Sequence, residues 1–326
     1  MGHAETWMAA ALGSFALTGG AKGRTIRDRV SSSFCCIMAG TAAIVTGSSL
    51  AGHGLWLVLG LPFVIAVVGL AGGISRALAR AATLFGLYTI IATGLGAGGA
   101  QPLGAALLFF TGATWMAAIS LGLPSIIRAV RPKPVRRAAD EVAPPPDPAA
   151  KRALRRWLSS LTALSGWQYP LRILVCLIAA QVFGCIWPIR RGYWVGVTVM
   201  IVARRDLRDA LKRTLQRAAG TALGVLLICP LSLLTPPMWA MIAILILLAA
   251  ARPIFREARY TVYAMVHTPA ILLLLDFGRA PSWAVVGDRM VATLVGCALA
   301  STFGYLPWRK FLVRTQLAPR DSTSPP

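Results

Sequence analysis

Runs of apolar residues about as long as a lipid bilayer is thick constrain this chain more than any other feature. Of its 326 residues, 56% are hydrophobic and only 13% are charged. A helix that crosses a membrane needs about 20 mostly apolar residues. Because lipid offers no hydrogen bonds, each crossing must satisfy its own backbone groups, which favours helices. The sequence therefore predicts an all-α polytopic membrane protein.

The apolar runs form two groups, separated by a basic segment rich in proline and alanine. The predicted parts are a first membrane half over 1–124, a cytoplasmic linker over 125–169, a second membrane half over 170–308 and a cytoplasmic tail over 309–326. Residues 149–164 of the linker fit either a basic amphipathic helix on the membrane surface or a solvated linker helix. The predicted spans are 7–20, 31–48, 55–74, 81–97, 103–123, 170–187, 193–203, 214–234, 238–251, 260–275 and 283–306.

The net charge of +22 would suit a nucleic-acid-binding protein, but the distribution of the charge argues against one. The basic residues are confined to short segments between apolar runs and to the linker, as in loops that stay on the cytoplasmic side. This pattern predicts a cytoplasmic C-terminus and, with five plus six spans, an external N-terminus. Arg190, Arg191 and Arg279 fall on the predicted outer side, and Arg289 lies inside the last span.

The two halves resemble each other in the order of their landmarks. In each half a pair of arginines precedes a span, a loop and a last span that ends in Leu-Pro, at Pro124 and at Pro307. If the repeat unit has six spans, the first half lacks its opening helix. Duplicated halves around a central path are a common transporter plan. We therefore expect two pseudo-repeated helical bundles of about five and six transmembrane helices.

The stretch 193–224 shows the end of one span, a basic turn and the start of the next. Its first residues are Tyr193 and Trp194, and its last part carries Gly220 and Gly224, four residues apart. Glycines at this spacing share one face of a helix and let a neighbouring helix approach closely. We predict Gly220 and Gly224, together with Gly296 in the last span, as helix-packing positions.

Four motifs of the second half carry a resemblance to a known family. They are Tyr193-Trp194, the run RTLQRAAGTALG at 213–224, RYTVY at 259–263 leading into Thr268-Pro269, and Asp288-Arg289 before TLVG at 293–296. In this order they resemble the fusaric acid resistance family, which includes bacterial aromatic carboxylic acid efflux pumps and, remotely, the plant aluminium-activated malate transporters. The resemblance is good over 170–308 and loose over 1–124.

The chain departs from that family at two places. Ala203-Arg204 stands where members often have a Gln-Pro-like pair. Many members also carry a cytoplasmic domain after each membrane half, where this sequence has a linker and a short tail.

The resemblance implies a secondary transporter of the bacterial inner membrane that exports aromatic or other organic anions, driven by the proton gradient. Two alternatives stay open: an organic-anion channel, and a non-transporting structural membrane subunit. The implied partners are the organic anion and the lipid bilayer. A periplasmic adaptor protein and a second copy of the chain are further candidates, and no nucleic acid is expected.

Charged groups inside a membrane are expensive and therefore mark candidate functional residues. Arg213 and Arg217 share one helix face, and with Arg256 and Arg259 we predict that they ring an inner vestibule. Arginine can hold a carboxylate through two parallel hydrogen bonds. The competing explanation is that these arginines only fix the topology.

Three further side chains are candidates for the lining of the path. The competing explanation is helix packing for the two tyrosines and a hydrogen bond between helices for the histidine. Tyr193 and Tyr263 are predicted to contact substrate. His267 lies near the middle of its span beside Pro269, which removes a helical hydrogen bond. A titratable imidazole beside a broken helix makes His267 the candidate for proton coupling.

The sequence offers few candidate catalytic residues. It contains no GxSxG, HExxH or P-loop motif. There are 3 histidines and 11 acidic residues, and the cysteines show neither CxxC nor metal-ligand spacing. We expect no catalytic site, no metal site and no cofactor.

Overall fold

A computed structural model describes residues 2–17, 25–97, 101–130, 148–187, 191–205, 207, 210–234, 236–258, 260–275 and 282–309. These residues form twelve α-helices, and within these ranges there is no β-strand. The helices cluster into two compact units, Met1–Pro170 and Leu171–Pro326. The prediction of an all-α polytopic membrane protein is confirmed.

The first unit contains six helices. Within it α1 packs against α5, α2 packs against α4 and α5, and α3 packs against α4. A capping box between Thr25 and Asp28 starts α2, because each side chain satisfies a backbone N–H that the helix leaves open. The helices are α1 (Gly2–Leu17), α2 (Ile26–Leu50), α3 (Leu61–Ala71, preceded by a π-helical turn at Trp56–Gly60), α4 (Arg76–Ala97), α5 (Pro102–Val130) and α6 (Pro148–Leu161).

The second unit contains the other six helices. Within it α11 packs against α9 and α10, and α12 packs against α8 and α9. The Ser282 side chain caps the start of α12. The helices are α7 (Leu164–Ile186, which begins in the first unit), α8 (Tyr193–Val202), α9 (Ala210–Leu234), α10 (Met238–Ala258), α11 (Tyr260–Leu275) and α12 (Trp283–Thr302).

Every predicted span corresponds to an apolar helix, but the helices differ in length. Among the described residues, six helices are long and apolar enough to cross a membrane by length and composition: α2, α4, α5, α7, α9 and α12. The other apolar helices are shorter, at Met8–Leu17, Trp56–Ala71, Tyr193–Val202, Met238–Arg252 and Tyr260–Leu274.

Helix extends into the predicted linker from both sides. α5 runs on to Val130, beyond the predicted end of its span at 123. α7 begins at Leu164, before the predicted start of its span at 170, and Pro170 lies inside it. A proline is tolerated in an apolar helix when neighbouring groups satisfy the freed carbonyl. The helix predicted over 149–164 is α6, which a turn at residues 162–163 joins to α7.

Candidate anion site in the second unit

Three arginines of the second unit have their side chains inside the helix bundle. The exposed fraction is 0% for Arg217 on α9, 2% for Arg289 on α12 and 8% for Arg252 on α10. The His267 imidazole on α11 interacts electrostatically with all three guanidinium groups. Four helices thus bring cationic or titratable side chains together in one place.

Arg217 and Arg289 each keep two guanidinium nitrogens without a hydrogen-bond acceptor among the described residues. The Nε and Nη2 atoms of Arg217 and the Nε and Nη1 atoms of Arg289 are buried and have no hydrogen-bond partner. The two guanidinium groups also repel each other electrostatically. The described side chains offer neither of them a carboxylate in an ion pair. Burying an unpaired charge is costly, so this pair is suited to an anion that arrives from outside the protein.

A fourth buried arginine, Arg172 on α7, has a different environment. Its exposed fraction is 2%, but its Nε donates to the Gly304 carbonyl oxygen at 2.5 Å and its Nη1 donates to the Arg204 carbonyl oxygen at 3.2 Å. These carbonyls follow α12 and α8, where helices leave oxygen atoms without a partner. Arg172 therefore links α7 to the residues that follow α12 and α8. It differs from Arg217 in that its guanidinium donates to protein carbonyls.

Trp194 supplies an aromatic wall beside Arg289. The Arg289 Cζ atom lies 4.7 Å from the centroid of the Trp194 ring, within the range of a cation–π interaction. Trp194 is 1% exposed, and the Tyr193 ring meets it edge-on at 6.1 Å. The interaction orients the guanidinium but leaves its N–H donors open.

A second aromatic group lies along α11. The Tyr263 ring stacks on His267 with centroids 5.4 Å apart, and the Tyr263 hydroxyl accepts a hydrogen bond from Arg252 Nη2 at 3.3 Å. One turn earlier on the helix, the Tyr260 ring lies 3.4 Å from Arg213 Cζ. Arginines of two neighbouring helices are thus held against one aromatic stripe.

Buried hydroxyl groups continue the polar surface. Thr221, one turn after Arg217 on the same face of α9, is 0% exposed, and its Oγ1 has no hydrogen-bond partner. The hydroxyls of Thr198, Thr268 and Thr293 instead donate to carbonyls of their own helices. Thr221 is therefore the threonine of this group with a free donor to offer a bound molecule.

Glycines set the close approach of the helices that carry the cluster. A Cβ at Gly220 would lie 2.6 Å from the Thr261 carbonyl oxygen, and one at Gly224 would lie 2.7 Å from the Met265 carbonyl oxygen, both on α11. A Cβ at Gly296 on α12 would lie 2.6 Å from the Thr198 Cβ on α8. The structure therefore places all three predicted packing glycines at helix–helix contacts.

The structure brings five of the predicted residues into one region: Arg213, Arg217, Tyr193, Tyr263 and His267. The sequence placed Arg213 and Arg217 together at a vestibule, but the structure leaves Arg213 half-buried and buries Arg217 completely. The reason is depth: Arg217 lies one turn further into the apolar part of α9. Arg259 and the side chain of Arg256 lie outside the described residues.

Sequence reasoning missed Arg252, Arg172 and Trp194 as members of the buried network. Asp288 directly precedes Arg289 in the sequence, but the Arg289 guanidinium lies over the Trp194 ring. Neighbouring residues on a helix point about 100° apart, so the two side chains face different surroundings. The sequence signal that indicates the burial of Arg289 is its place inside an apolar run.

The donors of this site suit a carboxylate or another oxyanion. Guanidinium groups form short charge-assisted hydrogen bonds to such groups, and the aromatic walls can pack against an apolar body. Within the described ranges, no group of three or more His, Cys, Asp or Glu residues is arranged to hold a metal ion.

Comparison with known families gives a match over the same helices. Residues 174–303 match the family described as fusaric acid resistance protein-like, which is a family of membrane transporters. Searches among curated proteins and among solved structures give no match. The matched segment spans α7 to α12 and contains Arg217, Arg252, His267 and Arg289. Residues 174–303, which are less than half of the chain, are thus similar to the fusaric acid resistance protein-like family, and the apolar helices make the chain a multi-pass membrane protein.

Proposed function

We propose that this protein is a secondary transporter that exports aromatic or other organic anions across the bacterial inner membrane, driven by the proton gradient. Its C-terminus is cytoplasmic in this proposal, in agreement with the distribution of basic residues. The family supports a role in transport, while the substrate class and the coupling are our inferences from the site.

The observation that carries the proposal is the pair of buried, unpaired guanidinium groups of Arg217 and Arg289. An arginine with a purely structural role is expected to donate to protein acceptors, as Arg172 does. A substrate carboxylate between Arg217 and Arg289 would satisfy their open donors and reduce their mutual repulsion. The charge of the anion therefore supports binding at this depth.

The surrounding rings support an aromatic substrate. Trp194 lies under Arg289, and Tyr263 stacks on His267. An aromatic acid could keep its carboxylate on the guanidinium groups while its ring packs against these faces, since offset aromatic pairs add about 0.5–1.5 kcal/mol beyond burial.

His267 is the proposed proton-coupling residue. It interacts electrostatically with Arg217, Arg252 and Arg289, so the arrival of an anion among them changes the electrostatic field at the imidazole. Such a link between anion binding and protonation is what a proton-coupled carrier needs. A periplasmic adaptor protein and a second copy of the chain remain proposed partners.

Transport by the purified protein in proteoliposomes tests the proposal. We expect proteoliposomes with the wild-type chain to accumulate radiolabelled benzoate when the lumen is more acidic than the medium, a pH gradient under which passive diffusion of neutral benzoic acid depletes the lumen instead. Arg217→Gln should abolish uptake, whereas Lys212→Gln should retain it, because Lys212 is an exposed residue of the same helix and loses the same charge.

The outcomes separate the three functions considered. Benzoate flux that only runs down its gradient would indicate a channel. A wild-type chain without flux for any of a panel of organic anions would favour the structural subunit. Equal activity of Arg217→Gln and wild type would refute the assignment of the site itself.

A further inference from the structure

The helix α6 has an apolar face that the protein covers only in part. Trp157 packs on Gly73, and its Nε1 donates to the Leu70 carbonyl oxygen at 3.1 Å. Leu154 and Leu158, on the same side of the helix, are 43% and 50% exposed. One edge of the apolar face is therefore fixed to the end of α3 and the other edge is open.

The contacts of α6 place it at the boundary of the apolar helices. Leu70 and Gly73 lie where α3 ends and the chain turns toward α4. At its other end α6 joins the membrane-spanning helix α7 through two residues, and Trp167 Nε1 donates back to the Leu161 carbonyl oxygen at 3.0 Å. Because α6 is fixed at both places, it lies at the level where spans begin and end.

Basic residues flank the open part of the apolar face. Arg155 and Arg156 are exposed, and Lys151 and Arg152 belong to the same helix. Because successive residues of a helix are rotated by about 100°, Leu154 and Leu158 lie on one side of α6 and the basic positions lie on the adjacent side. A helix with leucines toward the acyl boundary and arginines toward phosphate groups has the composition of an interfacial helix.

From this arrangement we infer that α6 binds the headgroups of anionic phospholipids at the membrane surface beside α3 and α4. Lipid is the occupant that the chemistry selects, because the open face combines exposed leucines with arginines at the level of the headgroups. This binding does not depend on the proposed transport function.

Hydrogen–deuterium exchange of the full chain in nanodiscs tests the inference locally. We expect the amides of 148–161 to exchange more slowly in discs with phosphatidylglycerol than in discs of phosphatidylcholine alone. Each arginine near an anionic surface contributes about fivefold in partitioning. Arg155→Gln/Arg156→Gln should therefore remove a factor of about 30 and with it the difference between the two lipids.

A matched control separates a site on α6 from a general effect of charge. Arg27 on α2 and Lys212 on α9 are also exposed basic residues, so Arg27→Gln/Lys212→Gln loses the same charge and should keep the lipid-dependent slowing on α6. Equal loss in both double variants would overturn the inference. So would equal exchange of the wild-type chain in the two kinds of disc, which would favour a protein partner or solvent.

The wild-type chain gives a second readout that needs no substitution. Exposed charges attract each other less at high ionic strength, because the Debye length falls from about 10 Å at 0.1 M to about 3 Å at 1 M salt. The slowing on α6 in anionic discs should therefore disappear at high salt. A slowing that persists there would overturn a headgroup contact based on charge.

Discussion

Replacing Arg217 by methionine should stabilise the protein in the absence of ligand and at the same time remove anion binding. Methionine keeps the length of the aliphatic stem but removes a charge that has no partner in the bundle. The same change at Arg172 should have the opposite effect on stability. Both side chains are almost completely buried, with 0% exposure for Arg217 and 2% for Arg172, so burial does not distinguish them.

The expected magnitudes follow from the hydrogen bonds of each guanidinium group. Arg217 leaves two buried nitrogen atoms unsatisfied, and each such group costs about 1–3 kcal/mol. We therefore expect Arg217→Met to raise the free energy of unfolding by about 2 kcal/mol or more. Arg172 makes two hydrogen bonds to carbonyls, each of which contributes about 1.5–3 kcal/mol as a bond to a charged group. Arg172→Met should lower the free energy of unfolding by at least about 3 kcal/mol.

Thermal unfolding of the detergent-solubilised protein, followed by the reactivity of its buried thiols, measures both effects. Cys176 and Cys297 are buried and free, so they react with a fluorogenic maleimide as the bundle opens. Benzoate at about 100 times its Kd should add about 2.7 kcal/mol to the wild type and far less to Arg217→Met. A lower midpoint for Arg217→Met than for wild type, or an undiminished response to benzoate, would refute the reasoning.

Three further predictions concern packing, recognition and folding. Gly220→Ala should lower the free energy of unfolding by about 1–3 kcal/mol through overpacking, while Gly184→Ala, which has open space around it, should leave the unfolding midpoint unchanged or raise it slightly. Trp194→Leu should weaken benzoate binding, measured by calorimetry, because Arg289 loses its cation–π partner, and Trp194→Phe should restore part of it. Thr25→Ala removes the cap of α2 and should lower the free energy of unfolding by about 1 kcal/mol, seen as faster amide exchange in the first turn of that helix.

The helices were predictable from the sequence because their cause is local. An apolar run of sufficient length has one way to satisfy its backbone in lipid, and each predicted span has an apolar helix in the structure. The ends were harder to predict. Pro170 was expected to mark a boundary, but it lies inside α7, since a proline within an apolar bundle breaks only one backbone hydrogen bond.

Two local signals in the sequence pointed to the site. His267 interrupts an apolar run, and Arg217 at the end of the charged segment 204–217 shares a helix face with Arg213. Arg172 and Arg252 lie near the ends of apolar runs, where arginine is the ordinary sign of a cytoplasmic loop, and only the rotation of each helix decides that these two side chains turn inward. That rotation depends on packing between helices distant in sequence, which a single sequence does not encode locally.

The contact between α9 and α11 has a mechanical consequence. Gly220 and Gly224 present backbone without side chains, and opposite them the Met265 carbonyl lies four residues before Pro269, which supplies no N–H to it. The Ala264 and Thr268 side chains of α11 lie directly over these two glycines. A side chain at either glycine would therefore push α11, which carries His267, away from Arg217 on α9, so the separation of these two groups depends on the absence of a Cβ at two positions.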